Sequence, residues 1–262
     1  MDSPPITRLD LRGCPVDPVT RGELVARLVA RMAADGPPHH HVSLNAAKWV
    51  GMRRDADLRR AVRSAGTVAA DGAAVRWAAG APERIPGIEL AEELLAAAAA
   101  RGWPVALVGG RSEVVARAAE VARARGARVA LARDGYFAAG DEGAVVAAVN
   151  AARPRLLLLA LGTPKAERFV GRWTQELRVP VVMGVGGAFD VWAGAARRAP
   201  RLVGALGLEW AWRFLGAPRA RFERAVADSA RFVVAGVRAE RLPDDGPHPP
   251  IVTPTSVISR NW

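Results

Sequence analysis

Several things are scarce in this chain of 262 residues. Its single cysteine, Cys14, rules out an intramolecular disulfide framework and makes a reducing compartment the default. No charge-free apolar run reaches membrane-spanning length: the longest, Val179 to Phe189, is glycine-rich and ends at Asp190. The opening Met-Asp-Ser-Pro-Pro has neither a basic flank nor an apolar core, so no secretory leader is expected. The dinucleotide fingerprint G-x-G-x-x-G is missing, which removes the main support for a nicotinamide enzyme. Lysine is nearly absent: of 37 basic residues only Lys48 and Lys165 are not arginine. Tyrosine occurs once, as Tyr136.

What is abundant is apolar residues, half of the chain, and arginine, which leaves a net charge of +11. The length suits one α/β domain with an appendage or two small domains, and the apolar content is enough for a sizeable core. High-GC codon usage accounts for some of the arginine and alanine, but not for where the charge falls. Residues 196–242 hold ten Arg against four acidic groups, so +6 of the +11 sits there. A concentrated basic surface points to an anionic partner: phosphate, nucleic acid or anionic lipid.

Along residues 6–195 short apolar runs alternate with helical stretches. Strands are expected at 41–45, 67–71, 104–108, 127–132, 155–161 and 180–185, with helices such as Ser112–Arg125 and Gly143–Arg153 between them. This alternation predicts a Rossmann-like α/β core, a mainly parallel sheet flanked by helices. The unbroken apolar run Leu156–Leu161 suits a strand buried on both faces. From about residue 196 to 242 the pattern turns to two helices, Leu206–Leu215 and Arg219–Glu240, which make a basic helical appendage. Residues 243–262 are rich in proline and read as a disordered tail.

Several strands end in chemistry. Val42-Ser43-Leu44-Asn45 and Thr67 to Asp71-Gly72 place Ser43, Asn45 and Asp71 at the carboxyl rim of a sheet, where ligands of open α/β folds bind; Asp71 is the first candidate base. Gly109 and Gly110 close another strand before a helix. They could cradle a phosphate on backbone amides, or serve a tight turn that needs glycine. Gly186 and Gly187 in Gly184–Asp190 allow close approach of a ligand, and Asp190 could accept from a ribose or simply cap a helix. Tyr136, in Asp134-Gly-Tyr-Phe137, could line a base pocket or pack a turn. Lys165, in Gly162-Thr-Pro-Lys165, stands out as a lysine in a chain that otherwise uses arginine. Arg213, Arg219, Arg221 and Arg224 suit a diphosphate through bidentate, charge-assisted bonds, and the interleaved aromatics Trp210, Trp212, Phe214 and Phe222 suit a membrane interface. No metal site is apparent. His39-His40-His41 alternate between the two faces of a strand and read as structural or incidental, and Cys14 has no partner for nucleophilic work.

Taken in order, these stretches resemble the WecG/TagA/CpsF family of bacterial glycosyltransferases. The resemblance is carried by Ser43-Leu-Asn-Ala46, Ala70-Asp-Gly72, Pro82-Glu-Arg-Ile-Pro-Gly87, Val108-Gly-Gly110, Asp134–Phe137, Gly162–Lys165, Gly184–Asp190, Arg198-Ala-Pro-Arg201 and Leu206-Gly-Leu-Glu-Trp210, over residues 9 to 225. It implies transfer of a hexose, N-acetylmannosamine or a relative, from a UDP-sugar. The acceptor would be a polyprenyl-diphosphate-linked saccharide at the inner face of the cytoplasmic membrane, in cell-surface polysaccharide or teichoic-acid synthesis. It further implies inversion at the anomeric carbon, no cofactor, no obligatory metal, and a peripheral cytoplasmic protein whose appendage completes the active site on an anionic membrane surface. Position by position, Asp71 would be the general base, and Ser43 (where the family usually has Thr) and Asn45 would orient the sugars. Arg84 would contact a phosphate or sugar, Tyr136 and Asp190 would line the nucleotide pocket, and the appendage arginines would stabilise leaving UDP. One departure stands out: the family commonly reads G-S-P-K-Q-E, and this chain has Ala166 in place of the glutamine. A member that binds but no longer transfers is therefore an alternative, with a nucleic-acid binder, resting on charge alone, behind it. A homo-oligomer is compatible with the sequence.

Overall fold

A computed structural model describes residues 7–196 and 219–244; for residues 219–226 and Val237 it describes the backbone alone. All six expected strands form: β3 (His39–Leu44), β4 (Thr67–Ala70), β5 (Pro104–Gly109), β6 (Arg128–Arg133), β7 (Leu156–Ala160) and β8 (Val181–Gly184). They join in one sheet of order β4-β3-β8-β7-β5-β6, with every pair parallel. A small antiparallel pair, β1 (Leu9–Asp10) and β2 (Pro15–Val16), precedes it and was not anticipated. Two residues per strand are too few to show the alternation by which a strand is recognised.

Helices cover both faces, as a parallel sheet requires. On one face lie α1 (Arg21–Ala33), α5 (Gly87–Ala99), α6 (Ser112–Ala124) and α9 (Ala188–Trp192). The other face carries α2 (Ala46–Met52), α3 (Ala56–Arg63) and α4 (Ala73–Ala79) over β3 and β4. It also carries α7 (Glu142–Ala152) and α8 (Lys165–Trp173) over β5, β7 and β8. Leu156 and Leu158 enter the first core and Leu157 and Leu159 the opposite one, which explains the unbroken apolar run.

The C-terminal helix, Arg219–Val237, lies across α2. Phe232 is buried there and meets Trp49 edge-on, with ring centroids 5.3 Å apart. The chain then returns to the N-terminal pair, where the Leu242 amide donates to the Arg12 carbonyl at 2.9 Å. The expected helix Leu206–Leu215 and all but the first two residues of the expected tail lie outside the described residues. No described helix is long and apolar enough to cross a membrane.

Candidate active site

The rim at the carboxyl ends of the strands carries two hollows. The first is a cavity of about 110 Å³ lined by residues that follow four strands. Ser43, Asn45 and Lys48 come from the end of β3 and the helix after it, Asp71 from β4, Gly162, Thr163, Ala166 and Glu167 from the segment after β7, and Gly184 to Ala188 from β8. The N-terminus of α5, Gly87 and Ile88, closes the side. From here the chain leaves β3 toward one sheet edge and β5 toward the other, the divergence at which open α/β sheets bind ligands.

Each polar group is set by its neighbours. The sheet ladder runs one step past β4, because the Asp71 amide donates to the Leu44 carbonyl at 2.9 Å, and this fixes Asp71 beside β3. Asn45 is the N-cap of α2: its Oδ1 accepts from the Lys48 amide at 2.9 Å, which leaves its Nδ2 to face other partners. Ser43 is buried and its Oγ lies 3.3 Å from His41 Nε2. His41 Nδ1 lies in turn 2.9 Å from Thr67 Oγ1, and that oxygen lies 3.2 Å from His39 Nε2. Burial holds His41 neutral, far below its usual range, so one ring nitrogen donates and the other accepts, and the chain orients the Ser43 hydroxyl. Gly87 must be glycine, since a Cβ there would sit 2.7 Å from Ser43 Oγ.

Beneath these groups lies a buried ion pair. Lys48 Nζ meets Glu167 Oε1 at 2.7 Å and donates to the Ser43 carbonyl at 2.9 Å. Burial alone would raise the Glu167 pKa, but the attraction and hydrogen bond of Lys48 outweigh it and hold the carboxyl below its usual value. Thr163 Oγ1 also donates to Oε1, at 3.3 Å. Oε2 is buried and has no hydrogen-bond partner. Ala166, where the resemblance leads one to expect glutamine, is buried in the same wall.

The second hollow is open, about 500 Å³, and lies between the ends of β5, β6 and β7. Gly110, Gly135, Tyr136, Phe137 and Lys165 line it. Tyr136 is 76% exposed, and its amide donates to Asp134 Oδ1 at 3.0 Å. Lys165 Nζ donates to the Gly135 carbonyl at 2.8 Å and stands 4.3 Å over the Phe137 ring, so it braces this loop. The glycine pair acts sterically. A Cβ on Gly109 would lie 2.4 Å from the Ala160 backbone, and the Gly110 amide donates to the Ala160 carbonyl at 3.1 Å.

The structure thus brings Ser43, Asn45, Asp71, Gly186 and Gly187 into the first cavity, and Gly110, Tyr136 and Lys165 into the second. Arg84 precedes Ile85, whose amide donates to Ala70 at 2.8 Å, so it is held near Asp71 without lining the cavity. Asp190 sits exposed in the first turn of α9 and belongs to neither lining, though its Oδ2 stands beside Gly187 of the first, 3.6 Å from where a Cβ there would be. Gly109 lines neither hollow. Arg213 lies outside the described residues, and for Arg219, Arg221 and Arg224 only the helical backbone is described. Sequence reasoning did not place Lys48, His41 or Gly87 in the site, nor pair Glu167 with Lys48. Cys14 is buried with its thiol pushed up to about 12 by desolvation, which makes it unreactive at neutral pH.

The sequence model of the WecG/TagA/CpsF glycosyl transferase family matches residues 9–245. The chain belongs to this family. The match spans the whole described sheet and both hollows. The family name places sugar-nucleotide and lipid-linked saccharide substrates in view as classes. Among the described residues no three His, Cys, Asp or Glu side chains gather as a metal site.

Proposed function

We propose that this protein transfers a hexose, N-acetylmannosamine or a relative, from a UDP-sugar to a polyprenyl-diphosphate-linked saccharide, with inversion. The observation that carries the proposal is the convergence of Asp71, Ser43 and Asn45 on one small cavity in a chain of this family. An acceptor hydroxyl oxygen attacks the anomeric carbon. The bond from that carbon to the UDP oxygen breaks, UDP leaves with the electron pair, and the hydroxyl proton passes to Asp71. A positioned base of this kind contributes roughly 10²–10⁴-fold. Ser43, its hydroxyl oriented by His41, and Asn45, free at Nδ2, hold the reacting sugars in line. The open hollow with Tyr136 takes the uridine.

The leaving diphosphate needs positive charge. The arginines of residues 196–242, Arg213, Arg219, Arg221 and Arg224 among them, supply it in this reading, and the same basic surface docks on anionic lipid at the cytoplasmic face. No cofactor is assigned. A member that binds without transferring is favoured by one observation, the buried Ala166 in the cavity wall.

The test is UDP release from a panel of UDP-sugars, with a short-chain lipid-diphosphate N-acetylglucosamine as acceptor. Asp71→Asn should lower acceptor-dependent release by about 10²–10⁴-fold while UDP binding persists. Near-normal turnover by that variant would end the base assignment. Absence of release by the wild type, restored by Ala166→Gln, would favour the non-transferring reading.

A further inference from the structure

We propose that Lys48 and Glu167 form a hydroxyl-reading subsite in the cavity wall, which takes one ring hydroxyl of a hexose and sets which sugar is accepted. The argument starts from a count of hydrogen-bonding capacity. The Lys48 ammonium has three N–H groups; the Ser43 carbonyl and Glu167 Oε1 take two of them. The Glu167 carboxylate has two oxygens. Oε1 serves Lys48 and Thr163, and Oε2 is buried without a partner. Both residues line the cavity, and both side chains are more than nine-tenths buried.

A buried carboxylate oxygen left unsatisfied is costly, and native structures keep few of them outside functional sites. The group that satisfies it must donate. A phosphate or diphosphate is excluded, since its oxygens accept and carry the same charge as the carboxylate. A carbonyl is excluded for the same lack of a donor. A hydroxyl fits both needs, because it donates to Oε2 while its own oxygen accepts the third N–H of Lys48. Ala166, the neighbour on the same helix, brings no amide to compete for that hydroxyl. The two residues are held on packed helices, Lys48 on α2 and Glu167 on the first turn of α8, and a turn of the carboxylate about its soft terminal torsion would present the buried Oε2 to the ligand.

The subsite takes its ligand class, a hexose, from the transferase reading. The hydroxyl can belong to the donor sugar or to the acceptor sugar, and the test has an arm for each. The donor probes are UDP-N-acetylmannosamine and UDP-N-acetylglucosamine. The acceptor probe is a short-chain polyprenyl-diphosphate N-acetylglucosamine. In each, one ring hydroxyl at a time is replaced by fluorine, which cannot donate. Binding to the wild-type chain is measured by calorimetry, with UDP alone as reference. The position read by the pair should lose about 10- to 100-fold on fluorination, as a hydrogen bond to a charged group predicts, and it is told from hydroxyls held by Asp71, Ser43 or Asn45 because its penalty alone depends on Glu167. The arm in which that position appears names the source of the hydroxyl.

In Glu167→Gln, checked by thermal melting for a folded chain, the penalty at that position should shrink to within about threefold. The fluorinated series on the wild type can still overturn the subsite if the variant does not fold. Parent ligands that bind while every ring position of both sugars tolerates fluorine would overturn the subsite and leave the transferase reading intact. A chain that binds neither UDP nor the lipid-diphosphate, and transfers nothing, would remove the transferase reading and the subsite with it.

Discussion

The two hollows on this rim are built in opposite ways from the same sheet. The cavity over β3, β4, β7 and β8 is small, and its polar walls are held by one another on a buried floor: buried Ser43 by His41, half-buried Asn45 by the α2 amide, buried Glu167 by Lys48. The hollow over β5 and β6 is open, its aromatic is mostly exposed, and its loop is held by backbone bonds and one lysine. Chemistry gains from fixed dipoles in a site closed to water, and a nucleotide that must enter and leave gains from an open one. Placing the reacting groups where burial is deepest also places the costly interactions there, so the two regions should answer differently to damage.

The largest effect expected on stability is from cutting the ion pair. Lys48→Met leaves the Glu167 carboxylate buried without its partner and should cost about 3–5 kcal/mol. Urea unfolding of wild type and variant measures this; a loss under about 1 kcal/mol would mean that the cavity wall tolerates an unpaired charge. Acid comes next. Burial, with Arg31 and Arg27 nearby, lowers His39 to about 4; burial does the same to His40, opposed by Glu167 and helped by Lys48. Both are neutral in the folded chain where the unfolded chain, with an ordinary value of about 6.5, already takes protons. The unfolded state therefore binds more protons between pH 6.5 and 4, and stability falls as pH drops through that window. From pH 7 to 5 the loss should be on the order of 2 kcal/mol per histidine. Unfolding free energies that stay flat over that range would show that the β3 histidines titrate in the fold as they do in the unfolded chain.

This division explains what could be read in the chain before its structure. Most strands were legible because they are short apolar runs between helices of clear period, and the ligand-binding rim followed from Ser43, Asn45 and Asp71 standing at or just past the ends of two of them. Asp71 proved to lie one residue past β4, since the ladder continues through its amide while its side chain turns to the cavity. The pairing of Lys48 with Glu167 escaped because a buried pair on two helices, 119 positions apart in sequence, leaves no local pattern. A signal did exist: Lys48 is the other lysine in an arginine chain, and the reasoning that singled out Lys165 applies to it equally. His41 escaped for a different reason. A histidine on a strand declares its face but not its partner, and only the register of β3 against β4 puts Thr67 beside it. Gly109 illustrates the converse, a glycine that suggested a phosphate and serves the close approach of β5 to β7.

The smallest expected effect sharpens the contrast most, because it acts on binding without stability. Lys165 is the counterpart of Lys48 in the open hollow: it also donates to a carbonyl, but its other partner is the Phe137 ring rather than a buried carboxylate. Removing its charge leaves no opposite charge stranded. Lys165→Met keeps the length of the side chain and its apolar stem, and gives up the bond to Gly135 and the cation–π contact, which at this part-exposed position lie at the low end of their range, about 0.5 kcal/mol each. Unfolding free energy should therefore change by less than about 1 kcal/mol. The loop Asp134–Phe137 would lose its brace, and UDP affinity should drop by roughly fivefold as the loop must be ordered on binding. A variant that binds UDP as well as the wild type would mean that the nucleotide does not use this loop, and one that unfolds like Lys48→Met would mean that the two hollows are not built differently after all.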